Sequence, residues 1–193
     1  KYNLNQGKAI KYLNRINQPD KQKSLQSEIE MQAEYLLGQI EHVNGNFDKA
    51  KQRFEHIFKI ASAANDHANI VLAVGSLAFI NTVTGAGSDN DSYQEILEKD
   101  LITAEIPEKK VIIFTYLAQI AFSKSDFDKV LTNASQGLAL AKESADIIAA
   151  DNIKSLIATT YLRKGNFKEA KKYLFDKYKL LENSNNYYDL AIV

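Results

Sequence analysis

The stretch Asn44-Gly45-Asn46-Phe47-Asp48-Lys49-Ala50 comes back near the end of the chain as Lys164-Gly165-Asn166-Phe167-Lys168-Glu169-Ala170. Between them stands Lys124-Ser125-Asp126-Phe127-Asp128-Lys129-Val130. Looser copies are Asp91-Ser92-Tyr93-Gln94-Glu95-Ile96 and Asn5-Gln6-Gly7-Lys8-Ala9. With Gln6, Phe47, Tyr93, Phe127 and Phe167 taken as equivalent, the copies lie 41, 46, 34 and 40 residues apart. The mean of about 40 is the period of a helical hairpin repeated along a chain.

Each unit reads as two helices joined at the quoted string. Asn46, Ser92, Ser125 and Asn166 are the expected N-caps, because their side chains can accept an orphan N–H of the first turn. Ser92 with Glu95 fits a capping box. The B helices that follow the caps are expected at 7–17, 47–63, 92–104, 127–144 and 167–183. The A helices that precede them are expected at 24–44, 67–83, 108–124 and 149–164. Pro107 suits a first turn, where no N–H is needed, and Pro19 separates the first two helices. The segment 85–91 reads as an insertion. No segment alternates with period two, so no strand is expected.

Composition narrows the function. The 193 residues hold 24 Lys+Arg and 24 Asp+Glu, so no overall positive field draws the chain to nucleic acid or anionic lipid. The chain has no Cys, which removes disulfides, thiolate nucleophiles and Cys-ligated metals. The apolar stretches 70–80 and 111–122 fall short of the roughly 18–20 residues a bilayer span needs. The chain opens on Lys1 and polar residues, without a signal peptide, and both ends cut through a repeat: 7–17 is a B helix without its A helix, and 187–193 starts an A helix without its B helix. The expectation is a single helical-repeat domain over 1–193, taken from a longer cytoplasmic chain.

Leu37, Gly38, Gly45, Phe47, Ala50 and Phe54 resemble the tetratricopeptide repeat. Tyr161, Gly165, Phe167, Ala170 and Leu174 match it well, Leu117, Ala118, Phe127 and Ala134 in part, and Val74, Gly75 and Tyr93 weakly. The resemblance implies an all-α, right-handed superhelix, an α-solenoid of antiparallel helix pairs. It also implies that the A helices line a concave face, at the second, fifth, ninth and twelfth motif positions. Here these are Gln32, Tyr35, Gln39 and His42, then Asn69, Leu72, Ser76 and Phe79, then Ile112, Thr115, Gln119 and Phe122, and last Asn152, Ser155, Thr159 and Leu162, with Arg163 beside them. This set is nearly uncharged. Amides offer a donor and an acceptor to an extended peptide backbone, and the apolar members offer side-chain pockets. A short, largely apolar peptide or protein segment is the expected partner. The Lys/Arg carboxylate clamp of co-chaperone repeat domains is missing from the matching positions Gln32, Tyr35, Asn69, Leu72, Ile112 and Thr115.

The period of about 40, the long helices and the small or acidic B-helix ends, such as Leu138-Ala139-Leu140-Ala141-Lys142-Glu143, are similar to those of the cytoplasmic peptide-pheromone receptors of Gram-positive bacteria. Asn69 and Asn152 stand where, by that resemblance, asparagines hold the peptide backbone. The resemblance implies the ligand-sensing part of a quorum-sensing transcription regulator, with DNA contact made elsewhere in the longer chain. A constitutive protein–protein scaffold without a small ligand is the competing reading.

Catalytic chemistry has no constellation to carry it. Gly85-Ala86-Gly87-Ser88-Asp89-Asn90 has a phosphate-loop composition but no preceding strand and no Lys-Ser/Thr. Asp89-Asn90-Asp91 begins like a calcium loop, but Gln94 stands where Gly belongs and Asp100 where Glu belongs. His42, His56 and His67 have no partners at metal spacing, and no Gly-x-Ser-x-Gly elbow occurs. The reading is a non-enzyme with neither metal nor cofactor. Tyr173, Phe175, Tyr178, Tyr187 and Tyr188 crowd sixteen residues; they read either as core packing or as a homodimer interface.

Overall fold

The computed structural model describes residues 23–86 and 90–183. They form eight helices: α1 (Lys23–Val43), α2 (Phe47–Ala64), α3 (His67–Thr84), α4 (Asn90–Thr103), α5 (Pro107–Ser123), α6 (Phe127–Glu143), α7 (Ile147–Arg163) and α8 (Phe167–Asn183). No strand occurs among the described residues. The expected helices at 7–17 and from Tyr187 lie outside them, as does Pro19.

The chain divides into two compact units, Lys1–Asp100 and Leu101–Val193. Within the first, α1 packs on α2, α2 on α3, and α1 also meets α3. Within the second, α5–α6, α6–α7 and α7–α8 pack in the same way, and α5 meets α7. Each unit has its own core. In the first it is Met31, Ala50, Phe54, Ile57, Ala61, Ala73, Leu77 and Ile80. In the second it runs through Val111, Ala118, Ala121, Val130, Ala134, Leu138, Ala141, Ala150, Ile153 and Ile157.

α2 and α6 are amphipathic in the ordinary way. Ala50, Phe54, Ile57 and Ala61 recur every three or four residues and are all buried, the spacing that puts side chains on one face. Val130, Ala134, Gly137 and Ala141 do the same in α6. α3 differs: Ala73, Val74, Gly75, Leu77, Ala78, Ile80 and Asn81 are buried on more than one side. By length and composition alone this helix would suit a bilayer span, and 44% of it is buried.

The turns carry the repeat. Gly45 and Asn46 donate to the carbonyls of His42 and Glu41 at 3.0 and 2.8 Å, closing the Schellman pair of bonds. Ser125 with Asp126, Ala145 with Asp146, Gly165 with Asn166, and Asn65 with Asp66 make the same pair. In each, the first residue is left-handed (φ from 52° to 77°), and the second already accepts the first bond of the next helix. Helix end and helix start therefore share one residue, which turns the chain back sharply. Gly85 is left-handed as well, so residues 45, 85, 125 and 165 stand forty apart.

Four sequence expectations change here. Asn46 precedes α2, but its side chain accepts no bond from the first turn. Ser125 is the left-handed residue, not the cap; Asp126 caps α6, its Oδ1 accepting the Lys129 N–H at 3.1 Å. Ser92 lies inside α4, which begins at Asn90, so Ser92 and Glu95 do not frame a helix start. The left-handed residues at 45, 85 and 125 are equally spaced, so the segment expected as an insertion at 85–91 adds no residue to the period. Two caps were overlooked: Asp66 and Asp146 accept the Asn69 and Ala149 N–H groups at 3.2 and 3.0 Å. Asn166 caps α8 as expected, accepting from Glu169 N–H at 3.2 Å.

Small residues set the helix separations. A Cβ on Gly38 would stand 2.7 Å from the Phe54 ring. A Cβ on Gly137 would stand 3.2 Å from Phe114 Cβ and 3.3 Å from Ile153 Cδ1. Eighty residues earlier, Ile57 occupies the Gly137 position and Ala73 the Ile153 position. The large and the small member are exchanged between the units, and Ile57 and Ala73 are both buried in the first core.

Candidate functional site

The expected site residues fall on two strips, one per unit. On α1, Gln32 and Gln39 are exposed, and Tyr35 and His42 are half-buried. Gln32 donates to Glu28 at 3.4 Å. The Tyr35 ring leans on Phe54 with centroids 6.0 Å apart, so its body belongs partly to the core. His42 lies 5.9 Å from Phe47 and meets Phe79 edge-on at 5.1 Å. His42 and Phe79, named independently from sequence, are thus brought into contact by the packing of α1 on α3.

On α3, Ser76 Oγ donates to the Leu72 carbonyl at 2.8 Å. Asn69 is employed differently from the sequence expectation. Its Nδ2 donates to Asp66 Oδ2 at 2.7 Å and its own N–H to Asp66 Oδ1 at 3.2 Å, so it buttresses the cap of α3.

The second strip lies on α5 and α7. Thr115, Ser155 and Thr159 donate their hydroxyl protons to the carbonyls of Val111, Asp151 and Ser155 at 2.8, 3.0 and 2.9 Å. A carbonyl can only accept, so each of these hydroxyl protons is committed to its own helix. Gln119 Oε1 is buried and has no donor. Phe122 packs edge-on against Phe127 at 6.0 Å. Asn152 and Thr159 are exposed, and Ile112 and Leu162 are 38% and 43% exposed. Arg163 is exposed at the end of the strip.

Register explains which residues are comparable. Counted back from the left-handed residues, Gln32, Ile112 and Asn152 are equivalent, whereas Asn69 lies nearly one helical turn too early. Leu72, Gly75, Phe79 and Thr82 are the α3 members in register, so Gly75 and Thr82 were missed and Asn69 and Ser76 displaced. The missed signal was Gly85, which repeats Gly45 and Gly165. Thr82 spends its proton on the Ala78 carbonyl at 2.8 Å.

Arg53 pairs with Glu34 and His56 with Glu30, each at 2.8 Å, across α1 and α2. A shallow hollow there is lined by Glu34, Glu41, Lys49, Gln52, Arg53 and His56. His67 bonds Asp100 at 2.7 Å, tying the start of α3 to α4. No cluster of three or more metal-ligating side chains occurs among the described residues. Of the aromatic-rich end, Tyr173 stacks on Tyr161 at 6.0 Å. Burial pushes its phenol above the ordinary tyrosine range, with Tyr161 adding to the effect. Phe175 is exposed, and Tyr187 and Tyr188 lie outside the described residues. Comparison with protein-family models and with curated proteins finds no match to this chain.

Proposed function

We propose that the hairpins are tetratricopeptide-like repeats of forty residues, in each unit successive members of a right-handed superhelix, and that their A-helix strips bind a short, largely apolar peptide. One observation carries this reading. The sixteen in-register positions on α1, α3, α5 and α7 hold no Asp, Glu, Lys or Arg, although a quarter of the chain is charged. Random placement would put about four charges there. Gly75 is buried, but the other fifteen are at least partly exposed; such positions kept free of charge suit an uncharged ligand, since an unpaired charge beside an apolar ligand loses hydration. Exposed amides at Gln39 and Asn152 suit the backbone of such a peptide. Groove occupancy would act by favouring one helix arrangement over another, which fits the ligand-sensing part of a cytoplasmic bacterial regulator of the pheromone-receptor type.

The test places charge on the strips. Gln39→Lys and Thr159→Lys alter exposed positions and leave the cores intact. Fluorescence polarisation with a labelled pool of short apolar peptides would show weaker binding for the chain carrying both substitutions, one on the strip of each unit, than for the unaltered chain. Equal binding would sink the reading.

A second reading, a protein-binding scaffold, is favoured by a different surface. Ile106, Ile147 and Ile148 are 60%, 74% and 78% exposed where α5 and α7 begin. Apolar side chains so exposed are candidates for a protein contact.

A further inference from the structure

We infer that Asn44 is a site of spontaneous covalent modification, deamidation through a cyclic imide, held in check by the last turn of α1. The sequence contains one Asn-Gly pair, Asn44-Gly45. Both residues are exposed, and a Cβ built on Gly45 would meet nothing within 4 Å. Gly45 therefore has no side chain of its own, and no neighbouring group stands where one would be, to crowd ring closure at its nitrogen. Every other asparagine precedes a residue with a side chain, which crowds ring closure.

The chemistry needs only water. The Gly45 backbone nitrogen attacks Asn44 Cγ, a C–N bond forms, and the Cγ–Nδ2 bond breaks. The departing Nδ2 leaves as ammonia, carrying the proton from the attacking nitrogen. Water then opens the five-membered imide. Addition at Cγ gives aspartate; addition at the main-chain carbonyl gives isoaspartate, whose backbone runs through the former side chain. Nothing is oxidised or reduced.

The fold sets the rate. Gly45 N–H donates to the His42 carbonyl at 3.0 Å, and Asn46 N–H to that of Glu41 at 2.8 Å. The nitrogen cannot attack while its N–H is held there, so conversion waits for the turn to open. The fold also sets the consequence. Either product places a carboxylate at the C-terminal end of α1, where the helix dipole is negative, and close in sequence to Glu41. Isoaspartate also lengthens the main chain by one carbon in a turn whose two bonds fix how α2 returns. His42, two residues away, is thereby shifted from Phe47 and Phe79.

The full chain is aged at mildly alkaline pH, folded or in urea, and isoaspartate is located by enzymatic methylation and peptide mapping. Isoaspartate is expected first at residue 44. It should form about tenfold or more slowly in the folded chain, as expected where the open turn is a minor state. It should be absent from residue 44 in Asn44→Gln and Asn44→Ser. The unaltered chain should lose thermal stability on ageing faster than either variant. Isoaspartate arising equally fast at other asparagines, or equal rates at residue 44 with and without urea, would overturn the inference.

Discussion

The side chain that Gly38 lacks would point into the ring of Phe54: its Cβ would stand 2.7 Å from Cε1 and 2.8 Å from Cζ. Phe54 is itself buried, 3% exposed, and its ring meets Tyr35. Gly38→Ala should therefore overpack the α1–α2 contact and cost about 1–3 kcal/mol in urea denaturation. Phe54→Leu in the same chain should recover part of that loss, because the smaller side chain vacates the clash. An unchanged unfolding midpoint for Gly38→Ala would show that the helices can part freely.

The left-handed turn position makes a prediction of opposite signs. Ala145 adopts φ 58° with a Cβ, Gly165 φ 72° without one. Ala145→Gly should stabilise by about 0.5–1 kcal/mol, because relief of the left-handed penalty exceeds the added freedom of the unfolded chain. Gly165→Ala should destabilise by about 1 kcal/mol, although a Cβ there meets nothing within 4 Å. If both substitutions destabilised, backbone conformation would not govern these turns.

Residues that look alike as caps should respond differently. Asp146 accepts the Ala149 N–H, so Asp146→Ala should cost about 1 kcal/mol. Asn46 makes no side-chain bond to the first turn of α2; its Nδ2 donates to Glu41 at 2.7 Å on an exposed surface. Asn46→Ala should cost clearly less. Equal losses in thermal denaturation would contradict this assignment of partners.

Gln119 links stability to binding. Its Oε1 is buried without a donor, a cost of about 1–3 kcal/mol. Gln119→Leu should raise the melting temperature of the free chain while weakening peptide binding, since the strip loses a polar contact. A variant that is both less stable and unaltered in binding would remove Gln119 from the site.

The hairpin pattern was legible because it rests on local chemistry. A left-handed residue, a cap and an aromatic recur in a fixed order, and the helices at Phe47, Phe127 and Phe167 begin where that order places them. The copy at Tyr93 misled because it stands 46 and 34 residues from Phe47 and Phe127, whereas the left-handed Gly85 keeps the spacing of forty. Ser125 was mistaken for a cap because serine suits a cap better than a left-handed turn; Asp126, one residue on, took that role. The strip was legible as a list of uncharged positions on A helices. What each side chain would be spending its hydrogen bonds on was not legible. Asn69 bonds Asp66, and the threonines bond their own helices, because these partners lie three or four residues away and outcompete anything more distant.

The most direct test of peptide binding is a thermal-shift screen of the whole chain against pooled short apolar peptides. A ligand at about 100 times its dissociation constant adds roughly 2.7 kcal/mol to stability. The account predicts a raised melting temperature with at least one pool, and loss of that rise when Gln39→Lys and Thr159→Lys are combined in one chain. No shift with any pool, or a shift that the double variant retains, would contradict it.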